Sequence, residues 1–218
     1  MNHFDRLKKI SSSSLADADK TIRCLNQEIM RFNGNVNMVG NALVVQVHND
    51  FLGVLMALTS SKSNDILVIN AAATYCAVLG GIFCAEAERR GLAGIVVDGF
   101  IRDIDYIKTL EIPVYAKGCC PSAGSTNILP HEKTEILCGG VRIINGDILV
   151  GDGDGVVVVG SENLNETIVA AAEIEKNEAI ILEQLKAGHR LSSLLNLEQH
   201  IGNLEENRES KIRFTIDE

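Results

Sequence analysis

The sequence predicts an α/β fold, and three observations carry that expectation. Short apolar, β-branched runs alternate with helix-periodic segments through the first two thirds of the chain. Hydrophobic residues make up 46% of 218 residues but aromatic ones only 4%, so the core is built from Val, Ile, Leu and Ala. The 19 glycines outnumber the 3 prolines and fall mostly where helices stop or strands turn. The length suits one domain with an appendage, and it buries a core without help from disulfides.

The elements follow in order. Ser11 to Ser14 precede Leu15-Ala16-Asp17-Ala18, a serine N-cap before a short helix. Residues 36–48 hold a β-branched run read as a strand, and Asp50 to Thr59 has helical periodicity with an acidic start. Asn64-Asp65 introduces Ile66-Leu67-Val68-Ile69, a buried strand after a turn signal. Gly80-Gly81 opens a helix that Gly91 stops. Residues 93–99 then form a strand ending in an Asp98-Gly99 turn, 104–110 a helix, and 112–116 a further strand. In the second half, residues 139–144, 147–150 and 156–159 read as strands joined into antiparallel hairpins by Asn145-Gly146 and Gly151–Gly155. The block Asn64–Val68 resembles Gly146–Val150, one strand design used twice. Ser161 to Gly188 is one long C-terminal helix, and 198–218 is a charged tail.

Composition excludes several functions. Lys and Arg number 20 against 29 Asp and Glu, a net charge of −9 that argues against direct nucleic-acid binding. No stretch reaches the ~18 apolar residues of a membrane span, and the polar N-terminus points to a cytoplasmic protein. The 6 cysteines show neither C-x-x-C spacing nor a zinc pattern, so they read as reduced structural thiols. The GDGDG run at 151–155 lacks the spacing and later glutamate of an EF-hand loop, and no helix follows it as a dinucleotide fingerprint requires.

Candidate chemistry concentrates in residues 80–103. Two glycines before a helix leave backbone N–H groups free to face an anion. Beyond the apolar strand stand Arg102, whose guanidinium can fork onto a carboxylate, and Asp103, which can hold a hard divalent cation. A plain surface salt bridge between the two is the alternative.

The run GGIFCAEAERRGLAGIVVDGFIRDIDYIKTLEIPVYAKG at 80–118 resembles the RraA-like family, which includes regulator of ribonuclease activity A and the metal-dependent 4-hydroxy-4-methyl-2-oxoglutarate aldolases. Residues 138–159 and 170–188 extend the likeness, which spans about 11–195 and leaves 196–218 outside. The resemblance implies a swivelling β/β/α domain over 11–195, assembled as a homotrimer or a dimer of trimers. It implies that the backbone of Gly80, Gly81, Ile82 and Phe83 grips a small 2-oxo acid. Arg102 then binds substrate and Asp103 coordinates Mg²⁺ or Mn²⁺, the two together forming the catalytic pair. An acidic residue on the late helix, Glu178, is a further candidate for reaching the metal waters. The implied activity is class II aldolase chemistry, releasing pyruvate, with oxaloacetate decarboxylation through the same enolate. This needs no Schiff-base lysine, and nothing in the sequence marks Lys117 as one.

Three departures from the family pattern stand out, one of them the Cys119-Cys120-Pro121 segment where the family often has Thr-Pro. Gly81 replaces an aspartate that many of the aldolases carry, and Tyr106 stands where the family often has an acidic residue. The alternative function is therefore a non-catalytic regulator that binds a ribonuclease or another protein.

Overall fold

The computed structural model describes residues 2–71, 74–131 and 133–215, so the last three residues of the charged tail lie outside it. The chain opens with α1 (His3–Leu7), α2 (Ser12–Ala18), β1 (Arg23–Cys24), β2 (Met30–Asn33) and β3 (Met38–Gln46). Alternation follows: α3 (Leu52–Ser60), β4 (Asp65–Asn70), β5 (Ala77–Leu79), α4 (Gly81–Arg89), β6 (Gly94–Ile101), α5 (Ile104–Ile107) and β7 (Val114–Cys119). Then come β8 (Glu135–Cys138), β9 (Val141–Ile144), β10 (Ile148–Gly151), β11 (Val156–Val159), α6 (Leu164–Lys186), a 3₁₀ turn (Leu191–Leu194) and α7 (Leu197–Glu205).

The main sheet runs β1-β11-β10-β3-β4-β6-β7-β2, with β5 also paired to β6. Its centre, β3-β4-β6-β7, is parallel, and antiparallel strands flank it on both sides. Central parallel strands are covered on both faces and so read as continuous apolar runs. Ile66 to Ile69 and Ile95 to Val97 fit that rule and are wholly buried. Alternation sorts them. Leu67, Ile69, Ile95 and Val97 pack with Val54, Leu58, Cys84, Ala87 and Ile107 of α3, α4 and α5. Ile66, Val68, Val96 and Tyr115 face Ile136, Cys138 and Ile143 of the β8–β9 hairpin. Each such aliphatic side chain contributes ~1.5–3 kcal/mol when fully buried.

The repeated Asp-Ile-Leu-Val block is one local structure built twice. Asn64 and Gly146 both take positive φ, +67° and +89°. The aspartate after each accepts from the N–H three residues earlier, Asp65 from Lys62 at 2.8 Å and Asp147 from Ile144 at 3.2 Å. The two strands that follow flank β3, β4 parallel to it and β10 antiparallel.

Three expectations need correction. Asp98-Gly99 does not end a strand: β6 continues to Ile101, and Asp98 sits opposite Asn70 inside the ladder. Asn145-Gly146 does not close a hairpin. Asn145 Oδ1 accepts the Val44 N–H at 2.8 Å and the Gly146 N–H donates to Ala42 O at 2.9 Å. This anchors the turn on β3, so β9 pairs with the unanticipated β8, while β10 joins the main sheet. Finally, residues 197–205 of the supposed tail are helical, with Leu197, Ile201 and Leu204 at helical spacing. The Gly151–Gly155 turn does join β10 to β11, and Asp152 in it accepts from the Ser12 N–H and hydroxyl at 2.6 and 2.7 Å.

The chain divides into two compact units, one ending at Ala171 and one beginning at Ala172. The first contains the sheet and the opening turns of α6, which bury Ile168 and Ala171 against Leu7, Leu15 and Val157. Within the second, Leu195 and Phe214 form an antiparallel bridge.

Candidate functional site

A cleft of about 200 Å³ opens beside the carboxyl end of β5, lined by Phe51, Ala77, Val78, Leu79, Gly80, Ile82, Phe83, Arg102, Asp103 and Ala123. The structure thus brings together Gly80, Ile82, Phe83, Arg102 and Asp103, all of which the sequence singled out. Gly81 is buried just behind them as the first residue of α4.

Asp103 leaves β6 in the left-handed region, φ +63°, where aspartate is tolerated better than most residues. That turn carries its carboxylate back to the start of α4, where Oδ2 accepts the Gly81 N–H at 3.0 Å. Arg102 Nε lies 3.8 Å from the same oxygen, and both side chains stay nearly half exposed, at 42% and 47%. Gly80 is extended, with φ −144°, so its backbone would accept any residue; what a side chain there would displace is the Asp103 carboxylate. A Cβ there would fall 2.6 Å from Asp103 Oδ2.

These contacts rearrange the expected backbone cradle. The Gly81 N–H is spent on Asp103, and those of Phe83 and Cys84 donate to Gly80 O at 3.1 Å. Among the described residues no group accepts the Ile82 N–H, the amide left to meet an anion at this helix start. Gly81 carries a second constraint. A Cβ on it would lie 2.7 Å from Tyr106 Cδ1, so the tyrosine ring fills the space a side chain at 81 would need. The residues at these two departures thus touch in space, Tyr106 lying against Gly81.

Phe51, Ala77, Val78, Leu79 and Ala123 were not anticipated. Asp50, buried, draws part of this wall together: its carboxylate accepts from the Leu52 N–H at 2.9 Å, the Ser125 hydroxyl at 2.7 Å and the Asn127 N–H at 2.6 Å. Burial pushes the Asp50 carboxyl up, but these bonds outweigh it and hold it below the ordinary aspartate value. Ser122 O and the Gly124 N–H pair with Ala77, setting Ala123 in the wall. Phe51 and Phe83 meet edge to face with ring centroids 5.7 Å apart.

Asp98 lies on the other face of the sheet from this cleft. It is paired with Lys117 Nζ at 2.6 Å and accepts the Gly139 N–H at 2.7 Å. Asp98 holds the Lys117 ammonium above the ordinary lysine value, the opposite of what a Schiff-base lysine needs. Cys84, inside α4, is pushed by burial up to about 12, and all six cysteines are free thiols. Glu178 is exposed on α6 and belongs to the second unit.

The family model described as RraA-like, Aldolase/RraA, matches residues 12–158. The chain belongs to the RraA-like family. An uncharacterised protein of Methanocaldococcus jannaschii is 37% identical over 162 residues, 73% of this chain and 78% of that one. A protein of Halalkalibacterium halodurans provisionally named 4-hydroxy-4-methyl-2-oxoglutarate aldolase is 34% identical over 193 residues, 86% of this chain and 92% of that one. Among solved structures, Streptomyces coelicolor RraAS2, described as an unusual member of the RNase ES inhibitor RraA protein family, superposes with a TM-score of 0.70 at 26% identity. That match covers 82% of this chain and 94% of the other.

Asp103 is the one acidic side chain among the residues lining the cleft. Among the described residues no group of three or more His, Cys, Asp or Glu side chains could hold a metal ion. A caged site of the zinc type is therefore a poor fit. One half-exposed carboxylate with an uncommitted Oδ1 fits a hard cation that keeps its waters and takes further oxygens from substrate. No helix among the described residues is long and apolar enough to cross a membrane.

Proposed function

We propose that this RraA-like protein is a divalent-cation-dependent carbon–carbon lyase that acts on small 2-oxo acids and releases pyruvate. The observation that carries the reading is the pairing of Arg102 and Asp103 at the mouth of an apolar cleft, with Asp103 tied to the first amide of α4. Among the described residues the ion pair of Arg102 runs through Nε to Asp103, which leaves its terminal guanidinium nitrogens to take the substrate carboxylate. The Ile82 N–H adds a second donor. Asp103, oriented by the Gly81 N–H, would hold the cation. Mg²⁺ or Mn²⁺ bound there would supply Lewis acidity toward the 2-oxo group. Arg102, at the mouth of a cleft with apolar walls, would stabilise the negative charge that develops when the C–C bond breaks.

The test is pyruvate release from 4-hydroxy-4-methyl-2-oxoglutarate and from oxaloacetate, with and without Mn²⁺. Asp103→Asn is the informative variant, because asparagine tolerates the left-handed backbone that alanine would strain. Turnover is expected to fall about 10²-fold or more, while the melting temperature holds. Absent turnover, or turnover indifferent to Mn²⁺ and to Asp103→Asn, would sink the lyase reading. One observation favours a second reading, a non-catalytic regulator of the RraA kind: Gly81 and Tyr106 leave Asp103 as the one carboxylate among the cleft-lining residues. That reading expects a stable complex with a ribonuclease and no turnover.

A further inference from the structure

The six cysteines are not equivalent. Cys84 and Cys138 are sealed in the two core clusters on either face of the sheet, and Cys24 is exposed on β1. Cys76 and Cys120, distant in sequence, come together beside the cleft. The Cys120 Sγ lies 3.5 Å from the carbonyl oxygen of Tyr75, whose peptide bond leads into Cys76. One planar peptide unit separates that oxygen from the Cys76 Cα, which puts the Cys120 sulfur within about 6.5 Å of it. We propose that Cys76 and Cys120 form an oxidation site, a dithiol that a small-molecule disulfide converts into an internal disulfide. Burial pushes the Cys76 thiol up and the neighbouring Cys120 pushes it further.

The backbone holds the two segments side by side. The Ala77 N–H donates to Ser122 O at 2.7 Å, and the Gly124 N–H donates to Ala77 O at 3.2 Å. The Cys120 N–H donates to Ile101 O at 2.9 Å, continuing the ladder in which Cys119 faces Ile101. Successive residues of a strand point to opposite faces, so Cys119 is turned away from the side that Cys120 takes. What the bond requires is rotation of two side chains off weak acceptors, Cys76 from Asn49 Oδ1 at 3.5 Å and Cys120 from Tyr75 O. Cys120 is the half-buried and accessible member, whereas Cys76 is only 8% exposed, so Cys120 reacts first. Its thiolate attacks one sulfur of the small disulfide, whose S–S bond breaks and releases a thiolate that takes up the proton. Cys76 then gives up its own proton and attacks the Cys120 sulfur of this mixed disulfide. The second small thiol leaves, so two protein thiols are oxidised and one small disulfide is reduced to two thiols. The crosslink ties together the segments that carry Ala77 and Ala123 into the cleft wall.

Equilibration of the full-length protein in glutathione buffers of rising oxidised share tests this, with free thiols blocked and peptides mapped by mass without reduction. A Cys76–Cys120 crosslink, two hydrogens lighter than its component peptides, is the expected product. It should form at a ratio of oxidised to reduced glutathione about tenfold lower than the ratio that loads Cys24 with glutathione. The reason is that its second step is intramolecular and enjoys a high effective concentration. Cys76→Ser should stop Cys120 at the mixed disulfide, and Cys120→Ser should leave buried Cys76 unmodified. Cys119→Ser should leave the crosslink unchanged. Should the Cys76→Ser protein fail to fold, the wild-type map and Cys119→Ser carry the test. A crosslink that contains Cys119 in place of Cys76 overturns the assignment. So does a wild-type Cys120 that only takes up glutathione, at the same ratio as Cys24. Either failure leaves the lyase reading untouched, since no step of this test uses turnover.

Discussion

Asp98 and Asp103 stand five residues apart on β6 and its exit loop, each beside a cation, and they are opposite kinds of acid. Asp98 is 6% exposed, with Lys117 on one oxygen and the Gly139 N–H on the other. Asp103 is 47% exposed, spends one oxygen on the Gly81 N–H, and has Arg102 only at 3.8 Å. A carboxylate that is buried, closed off from solvent and ion-paired to a lysine serves the fold, because a ligand cannot reach it. One that is oriented but half solvated keeps capacity for chemistry. From sequence Asp98 also reads as the end of an apolar strand, where open α/β sheets place their ligands. A salt bridge also formed between Arg102 and Asp103, but a loose one, and its looseness is what leaves both groups available.

The comparison breaks most sharply under substitution of the buried member. Asp98→Ala leaves the Gly139 N–H without its partner and the Lys117 ammonium with Glu28 alone, 3.6 Å away. The expected loss is about 3 kcal/mol in urea unfolding, the lower end for a broken buried pair because Lys117 keeps some contact with water. Asp103→Asn, measured the same way, should stay within about 0.5 kcal/mol of wild type. Equal losses at the two sites would erase the distinction.

Gly80→Ala sharpens it next. The new methyl would fall 2.6 Å from Asp103 Oδ2, so the carboxylate must move while the extended backbone accepts alanine without strain. Catalytic efficiency should drop about tenfold to a hundredfold with little change in melting temperature. The partner substitution Gly81→Asp is not a clean gain-of-function test by itself, because Tyr106 already fills that space.

Asp50 supplies the smallest effect. Its folded value is depressed, so it contributes stability that is present above the unfolded aspartate value of about 3.9. That stability is lost as pH falls through the lower, folded value. Asp50→Asn should therefore reduce stability at neutral pH by about 1 kcal/mol. It should also flatten the decline below about pH 4, as read from urea midpoints against pH. An unchanged acid limb would remove Asp50 from the account.

What was legible in the sequence was short-range. Gly91 stops α4 with φ +74°, Gly188 lies past the end of α6 with φ +93°, and Ser11 caps α2 by accepting the Ser14 N–H at 3.1 Å. Turn chemistry and apolar periodicity act over a few residues and need no knowledge of the rest of the chain. The Arg102-Asp103 pair was legible for the same reason: two polar groups directly after a buried strand announce themselves locally. Phe51 and Ala123 carried no such signal, since Asp50 and Ser125, which set them in the wall, are 75 residues apart.

The sequence by itself thus determined the α/β alternation through the middle of the chain and the Arg102-Asp103 pair after its buried strand. Only the tertiary structure decided which aspartate is spent on stability, which amide of the α4 start stays free, and that an aromatic wall faces Arg102. The register of β6 against β4 and β7 puts Asp98 under the β8–β9 hairpin and Asp103 over α4. A charge's role follows from what surrounds it, and those surroundings come from strands and loops distant in sequence.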